Sequence, residues 1–337
     1  MSSIPIIAIP LLACVVCAAL IVLLRPLLQR YALARPNARS SHRVPTPQGG
    51  GLAVIVATIA GAAFSAWYPG GTAWPALLPL LASAVLLACV GAYDDLRAMP
   101  VFPRLLAQAA AVGVVLATLP AEFHLVSALP LWAERLLLLV GGLWFVNLVN
   151  FMDGLDWMTV AEVVPVMGAL AAFGLWGQLP PGPTIIAIAL LGAMIGFAPF
   201  NRPVAKLFLG DVGSLPIGLL MGWCLLQLAG SGHLAAALLL PLYYLADATL
   251  TLFRRLMNGE TVWVAHRSHF YQRATDNGFS VMQVVGEVFA LNVALAALAA
   301  ATIQVKAPFI QGIALVFGAG AAAIVLYRFS RPRKISS

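Results

Sequence analysis

Five aspartates stand in short polar or glycine-containing motifs of an otherwise apolar chain. They are Asp94 and Asp95, Asp153 and Asp156, and Asp211. Carboxylate oxygens are the ligands that Mg²⁺ prefers, and a positioned Asp can also serve as a general base. If the fold gathers these groups, they could hold a divalent ion against phosphate oxygens, which is the chemistry of phosphoryl transfer.

The elements that must position these acids are membrane-spanning helices. Hydrophobic residues make up 62% of the 337 residues and charged residues 9%, whereas a soluble domain carries roughly 25% charged residues. This composition excludes a soluble protein and predicts an all-α polytopic membrane protein, a single domain over 1–337 with about eleven transmembrane helices. The predicted spans are 4–24, 51–68, 74–92, 102–119, 132–151, 159–177, 183–200, 213–230, 234–253, 281–302 and 308–327.

The basic residues predict the orientation of these helices. With the N-terminus outside, one set of connectors holds 17 of the 19 Lys and Arg, and the other set holds only Arg135 and Lys306. The positive-inside rule places the rich set and the C-terminus in the cytoplasm. The net charge of +7 is thus a topology signal, and no nucleic-acid partner is expected. The cytoplasmic loops fall near 25–50, 93–101, 152–158, 201–212 and 254–280, so all five aspartates lie on that face.

The fifth span ends in a row of polar residues at every third position. The row is Asn147, Asn150, Asp153 and Asp156, and on a continuous helix these side chains form one stripe about 13 Å long. Asn147 suits interhelical hydrogen bonding as well as it suits a site. The two aspartates suit a site better, because acids so close together repel unless a cation or donors lie between them.

Two further motifs each have a structural and a chemical interpretation. Asp94 and Asp95 form either a solvated pair at a helix end or a general base beside a group near the metal. In the run from Gly210 to Ser214, Asp211 either caps the eighth helix or binds a divalent ion. The backbone N–H groups of such a helix start favour phosphate, and Gly213 would let a ligand approach closely.

The ninth connector contains His266, Arg267 and His269 close together. Zinc binding is disfavoured because no Cys or further His is near and arginine repels a metal. Contact with anionic lipid would explain the arginine but not the histidines. We therefore predict an anion site. Asp247, within the ninth span, either faces the site or hydrogen-bonds a neighbouring helix.

Together these motifs resemble the polyprenyl-phosphate N-acetylhexosamine-1-phosphate transferases, which include the phospho-N-acetylmuramoyl-pentapeptide transferase of peptidoglycan synthesis and the enzymes that start O-antigen and teichoic acid assembly. The resemblance spans nearly the whole chain. It rests, in order, on the run from Pro45 to Gly50, Asp94-Asp95, Asn147-x-x-Asn150-x-x-Asp153-Gly-x-Asp156, Gly210-Asp211-x-Gly213-Ser214 and the His266–His269 loop. Each motif alone is weak, whereas five in order on one face are specific.

The resemblance implies transfer of a sugar 1-phosphate from a UDP-sugar to undecaprenyl phosphate, with release of UMP and the start of a lipid-linked surface glycan. It implies Mg²⁺, with Mn²⁺ as a substitute, and a multi-pass protein of the bacterial inner membrane with its site on the cytoplasmic face among membrane lipid. A homodimer is left open. By the family pattern, Asp94, Asp95 and Asp211 are catalytic and Asp211 and Asp153 bind the metal. The substrate-binding set is Asn150, Asp153, Asp156, His266, Arg267, His269, Gly213 and Ser214.

Two departures from the family pattern bear on the substrate. Trp157 and Met158 follow Asp156 where the family usually has Gly-Leu, and the usual three histidines are reduced to His-Arg-Ser-His. With the modest length, these changes resemble the O-antigen branch more than the peptidoglycan branch. The alternative from another class is a secondary transporter, whose acids lie near mid-membrane on broken helices. Only Asp247 approaches that depth. The CDP-alcohol phosphotransferases are disfavoured because Asp153 does not begin their Asp-Gly-x-x-Ala-Arg run.

Overall fold

A computed structural model describes residues 3–34, 45–67, 74–261, 266–305 and 307–333, and these form a bundle of α-helices. The helices are α1 (Ser3–Tyr31), α2 (Gly50–Phe64), α3 (Trp74–Leu96), α4 (Val101–Ala117), α5 (Leu131–Phe151), α6 (Met158–Leu175), α7 (Pro181–Phe197), α8 (Asp211–Gly230), α9 (Leu234–Leu239), α10 (Leu242–Met257), α11 (Phe270–Asp276), α12 (Val281–Gln304) and α13 (Pro308–Phe329). A 3-10 turn covers Ser65–Trp67, and two short strands, β1 (Leu33–Ala34) and β2 (Thr46–Pro47), pair antiparallel.

The helices confirm a polytopic membrane protein. Among the described residues, eight helical segments are long and apolar enough to cross a membrane, and α4 and α7 are shorter apolar helices. The ninth predicted span is wrong as a continuous helix, because it is divided into α9 and α10 just before Pro241. Proline lacks the backbone N–H that a helix interior needs. The count of eleven crossings and the orientation of the termini stay predictions.

Helix α8 is the central element, and it packs against α2, α3 and α5. Glycines make two of these approaches very close. A Cβ atom at Gly91 of α3 would collide with the backbone carbonyl of Asp211, and one at Gly213 would collide with the α-carbon of Gly51 in α2. Only glycine leaves room for such backbone contacts. The glycine contacts therefore hold the start of α8 against the C-terminal end of α3 and the N-terminal end of α2.

The segment from Pro45 to Gly50 supports the loop that leads into α8. Phe208 N–H donates to the carbonyl of Pro47 at 2.9 Å, and Gly50 N–H donates to the carbonyl of Phe208 at 2.9 Å. The Gln48 side chain donates to the backbone carbonyl of Asp95 at 2.7 Å. This motif thus ties the loop before Asp211 to the end of α3. The predicted 25–50 loop is wrong at its start, because α1 continues as a helix to Tyr31. Residues 35–44 of this loop lie outside the described residues.

Candidate active site

Asp95 holds the start of α8. Its Oδ1 accepts the N–H of Asp211 at 2.9 Å, and its Oδ2 accepts the N–H of Val212 at 3.1 Å. Both carboxylate oxygens therefore satisfy donors that a helix start leaves unpaired, and the negative charge lies at the positive end of the helix dipole. Asp95, which the sequence places only beside a candidate base, is the group that orients Asp211.

The remaining donors at this helix start are also paired, and this corrects one expectation. The N–H groups of Gly213 and Ser214 both donate to the carbonyl of Gly210 at 3.0 Å. The space beside Gly213 is filled by Gly51. The expectation that free N–H groups and an open Gly213 receive a ligand is therefore wrong in this structure, because Asp95 and the neighbouring helix occupy those positions. Gly213 is a packing residue.

Asn150 joins the end of α5 to α8. Its Nδ2 donates to Oδ1 of Asp211 at 2.8 Å and to Oγ of Ser214 at 2.9 Å. Ser214 is fully buried, so its hydroxyl orients Asn150. Asn150 in turn leaves the second oxygen of Asp211 available for another partner, because it binds only the first.

Asp153 lies beside Asp211 and Asp95, in the turn between α5 and α6. The hydroxyl of Thr159 donates to its Oδ1 at 2.5 Å. Burial by the surrounding protein, together with the nearby charges of Asp211, Asp95 and Asp156, raises the pKa of Asp153 to about 8, against the opposing effect of the Thr159 hydrogen bond. A carboxylate in such surroundings gains stability from a cation. The structure thus brings together aspartates from α3, the turn after α5, and α8.

These residues fit a magnesium site with few protein ligands. Among the described residues, no group of three or more His, Cys, Asp or Glu has the arrangement of a complete metal cage. Mg²⁺ is commonly bound through one or two carboxylates together with water and substrate phosphates. Asp211 and Asp153 supply two carboxylates in an environment that disfavours their joint ionisation. This donor set suits Mg²⁺ or Mn²⁺ with a phosphate ligand.

Asp94 has different partners from its neighbour Asp95. Its Oδ2 accepts Nη1 of Arg104 at 2.7 Å, and its Oδ1 accepts the N–H of Met99 at 2.6 Å. The same Nη1 lies 3.9 Å from Oδ2 of Asp211. Arg104, in the first turn of α4, is a site residue that the sequence reasoning missed. Two features of the sequence could have identified it: Arg104 lies ten residues after Asp94, and it is the one basic residue of α4.

The predicted polar stripe after α5 is wrong beyond Asn150. Helix α5 ends at Phe151, so Asp153 and Asp156 lie in a turn rather than on the helix face. Asn147 bonds the buried Gln108 of α4 at 2.6 Å, which is the interhelical contact considered for it. Asp156 accepts the N–H of Ala205 at 2.9 Å and thereby anchors the loop before α8.

Trp157 has a left-handed backbone conformation, which glycine adopts more easily than other residues. Its φ is 63°, in the left-handed region that glycine enters at little cost. Two contacts hold it there: its N–H donates to Asn201 at 2.8 Å, and its ring Nε1 donates to the carbonyl of Ala198 at 2.6 Å. The turn is therefore preserved despite the departure from the family's glycine.

The histidine loop packs against the end of α5. The ring of His269 lies 6.3 Å from that of Phe151 and stacks at 4.8 Å on the ring of His266. The hydroxyl of Tyr271 donates to the carbonyl of Phe151 at 2.9 Å. Burial lowers the pKa of His266 to about 4, with the charges of nearby arginines acting in the same direction. His266 is therefore neutral at pH 7.

Arg267 is engaged within its own loop. It contacts Asp276 at 3.1 Å and Thr275 at 3.1 Å. The structure therefore places His266 and His269 at the end of α5, close to the aspartates, whereas Arg267 is bonded to the C-terminal end of α11. Any contact of Arg267 with substrate stays a prediction.

Comparison with known proteins agrees with this geometry. Residues 77–229 match the family model of glycosyl transferase family 4, and this segment contains all five aspartates of the site. The chain is 27% identical over 291 residues to the decaprenyl-phosphate N-acetylglucosaminephosphotransferase of Mycobacterium tuberculosis, covering 75% of this chain and 71% of that protein.

Other relatives show the same similarity. Over 301 residues the chain is 25% identical to a protein of Bacillus subtilis named probable undecaprenyl-phosphate N-acetylglucosaminyl 1-phosphate transferase, covering 81% of this chain and 80% of that protein. Over 81 residues it is 42% identical to the phospho-N-acetylmuramoyl-pentapeptide-transferase of Bacillus licheniformis, covering 24% of each chain. With the family match over the aspartate-bearing helices, these similarities lead to one conclusion: the chain is similar to glycosyl transferase family 4 across residues 77–229, and to polyprenyl-phosphate sugar-phosphate transferases over most of its length.

Proposed function

We propose that this membrane protein transfers an N-acetylhexosamine 1-phosphate, or a deoxy relative, from a UDP-sugar to undecaprenyl phosphate and thereby starts a lipid-linked glycan of the O-antigen type. The reaction takes place at the cytoplasmic face of the bacterial inner membrane. The observation that carries the proposal is the meeting of three aspartates from separate parts of the chain. Asp95 binds the backbone of Asp211, and the charges of both act on Asp153. The relatives' names support a sugar-phosphate transfer to a polyprenyl phosphate.

An apolar cavity next to the aspartates suits the lipid chain of the acceptor. It has a volume of about 250 Å³, and its lining includes Val146 of α5 and Gly218 of α8. Val146 precedes Asn150 by four residues and Gly218 follows Ser214 by four, so each lies one helical turn, about 6 Å, from the site. Both turns lead away from the aspartates into the bundle. A phosphate at the aspartates could therefore have its apolar chain in this cavity.

The chemistry assigned to each residue follows from its contacts. Asp211 and Asp153 would hold Mg²⁺, which when bound supplies positive charge against the phosphate oxygens. Asp95 and Asn150 keep Asp211 in position through the bonds described above. Asp94, paired with Arg104, orients the guanidinium beside Asp211, where it can contact an anionic phosphate. The histidine loop is assigned to the diphosphate and sugar.

The net reaction balances without a further reactant. An oxygen of the lipid phosphate forms a bond to the β-phosphorus of the UDP-sugar. The bond between the β-phosphorus and the oxygen that bridges to the α-phosphorus breaks, and UMP leaves with that oxygen. The negative charge that gathers around the β-phosphorus is where cations contribute most.

One assay tests the proposal. Purified protein is incubated with undecaprenyl phosphate, Mg²⁺ and a panel of UDP-sugars, and both UMP release and lipid-linked sugar are measured. We expect product with a UDP-N-acetylhexosamine or a deoxy relative. Absence of product with every donor would refute the proposal. Uptake of a radiolabelled solute into vesicles without any lipid product would instead support the transporter alternative.

One contact favours the transferase over the transporter alternative. Asp247, the acid predicted at greatest membrane depth, is bonded to the histidine loop rather than left facing a central path. Its surroundings also lead to the inference that follows.

A further inference from the structure

Asp247 is a fully buried carboxylate with five donors around it. Its Oδ1 accepts the N–H of Phe270 at 3.0 Å and lies 3.2 Å from Nδ1 of His269 and 3.2 Å from the hydroxyl of Thr251. Its Oδ2 accepts the N–H of Tyr271 at 3.0 Å and the hydroxyl of Tyr243 at 3.2 Å. These donors satisfy both oxygens of the buried carboxylate.

The contacts reach across the chain from α10 to the histidine loop. Asp247 and Thr251 belong to α10, whereas His269, Phe270 and Tyr271 lie at the start of α11, more than twenty residues later. Tyr271 in turn donates to the carbonyl of Phe151 at the end of α5. Asp247 is therefore one of the points at which the histidine loop is attached to the bundle beside the aspartates.

The contact with His269 determines which ring nitrogen carries hydrogen. A carboxylate can only accept, so Nδ1 of His269 must be the protonated nitrogen in this pair. The other ring nitrogen, Nε2, then carries the lone pair and can only accept a hydrogen bond. The ring's orientation is further held by stacking on His266 and Tyr271, with ring centroids at 4.8 Å and 5.7 Å.

We propose that Asp247 is a positioning residue for the transfer reaction, which fixes His269 with its hydrogen on Nδ1 so that Nε2 is the hydrogen-bond acceptor presented to a hydroxyl or amide N–H group of the sugar donor. The identity of the ligand rests on the proposed function. The tautomer of His269 does not, because it follows from the contact with Asp247. Partners that fix the tautomer of a functional histidine commonly change activity by about 10–100-fold when removed. Asp247 acts through His269 and touches no substrate.

The first test is a double-mutant cycle in the UMP-release assay. We expect Asp247→Asn to lower kcat by about 10–100-fold with little change in the KM for the UDP-sugar. In a His269→Ala background, Asp247→Asn should cause no further loss, because its effect passes through the missing ring. Thr58→Val is the control: Thr58 is a buried threonine of α2 whose hydroxyl bonds only within its own helix, and its loss should leave kcat unchanged.

Two results of the cycle would overturn the inference. One is normal turnover in Asp247→Asn. The other is a double variant whose loss equals the product of the two single losses, because Asp247 would then act independently of His269.

A second test needs no turnover and no variant of Asp247. In protein labelled with ¹⁵N-histidine, long-range ¹H–¹⁵N spectra distinguish hydrogen on Nδ1 from hydrogen on Nε2. We expect His269 to carry hydrogen on Nδ1. His124, whose Nδ1 lies 2.7 Å from Glu134, is also expected to carry hydrogen on Nδ1, so the signal of His269 is identified as the one that is absent from His269→Ala. A His269 ring with hydrogen on Nε2 alone would refute the proposal even if Asp247→Asn does not fold. If the wild-type protein makes no product with any donor, the proposed function fails while this spectrum still decides the tautomer.

Discussion

Asp95→Asn is the substitution that most directly tests how α8 is positioned. Asparagine has nearly the same shape but only one acceptor oxygen, so its NH₂ group must face the N–H of either Asp211 or Val212. One of the two bonds, at 2.9 Å and 3.1 Å, is then lost and a donor is left without a partner. Hydrogen bonds to charged groups contribute about 1.5–3 kcal/mol. We expect the free energy of unfolding to fall by about 2 kcal/mol.

The same change should displace Asp211, because Asp95 binds its backbone directly. A displacement on the order of 1 Å can cost about 100-fold in rate, so we expect turnover to fall by about 10–100-fold. Unfolding is followed by tryptophan fluorescence during SDS titration in mixed micelles, and turnover by UMP release. Glu287→Gln is the control, since its partner Arg328 is exposed and such pairs contribute about 1 kcal/mol or less.

The reasoning would be refuted by an Asp95→Asn protein with wild-type unfolding and turnover within about twofold of wild type, a loss far below that expected for a displaced group. Loss of turnover with unchanged unfolding would show that Asp95 acts in the chemistry rather than as the anchor of α8.

Four further outcomes are expected. Asp94→Asn and Asp211→Asn should each lower turnover by at least about 100-fold, the scale for removal of a key charge-stabilising group; near-normal UMP release in both would mean that the site lies elsewhere. Gly91→Ala should separate α3 from α8 and reduce both thermal stability and turnover, whereas Gly113→Ala, with no atom within 4 Å of the added carbon, should reduce neither. EDTA should abolish turnover, and Mg²⁺ or Mn²⁺ should restore it; full activity in EDTA would contradict a metal at Asp211. Because the pKa of His266 is lowered to about 4, His266→Asn should leave the shape of the pH–rate profile between pH 6 and 8 unchanged, and a shifted profile would show that this ring titrates there.

The sequence was informative about the helices because a membrane leaves few options. A backbone in lipid must satisfy its own hydrogen bonds, so a long apolar run predicts a helix with little ambiguity. The predicted fifth span, 132–151, and the observed α5 (Leu131–Phe151) differ by one residue. The ninth span was mispredicted because hydropathy does not register the effect of Pro241 on helix continuity.

Residue type and spacing were less informative about which side chains form hydrogen bonds and ion pairs with each other. Asp94 and Asp95 are neighbours of the same type, and nothing local separates an acid that binds Arg104 from one that caps α8. Arg104 was missed because a single arginine at a helix start is common on a cytoplasmic face. The role of Asp247 was open because three of its five partners lie more than twenty residues away in the chain.

The sequence alone determined that this chain is a helical membrane protein, because the length of its apolar runs is a property of the chain itself. It also determined the order of the five aspartates and the histidine loop, because motif spacing does not depend on folding. The tertiary structure decided which acid contacts which partner. Those contacts depend on how closely helices approach and rotate, and the approach is set by small residues such as Gly91 and Gly213 at distant positions. A hydrogen bond requires alignment within a few tenths of an ångström, and only the packed bundle supplies it.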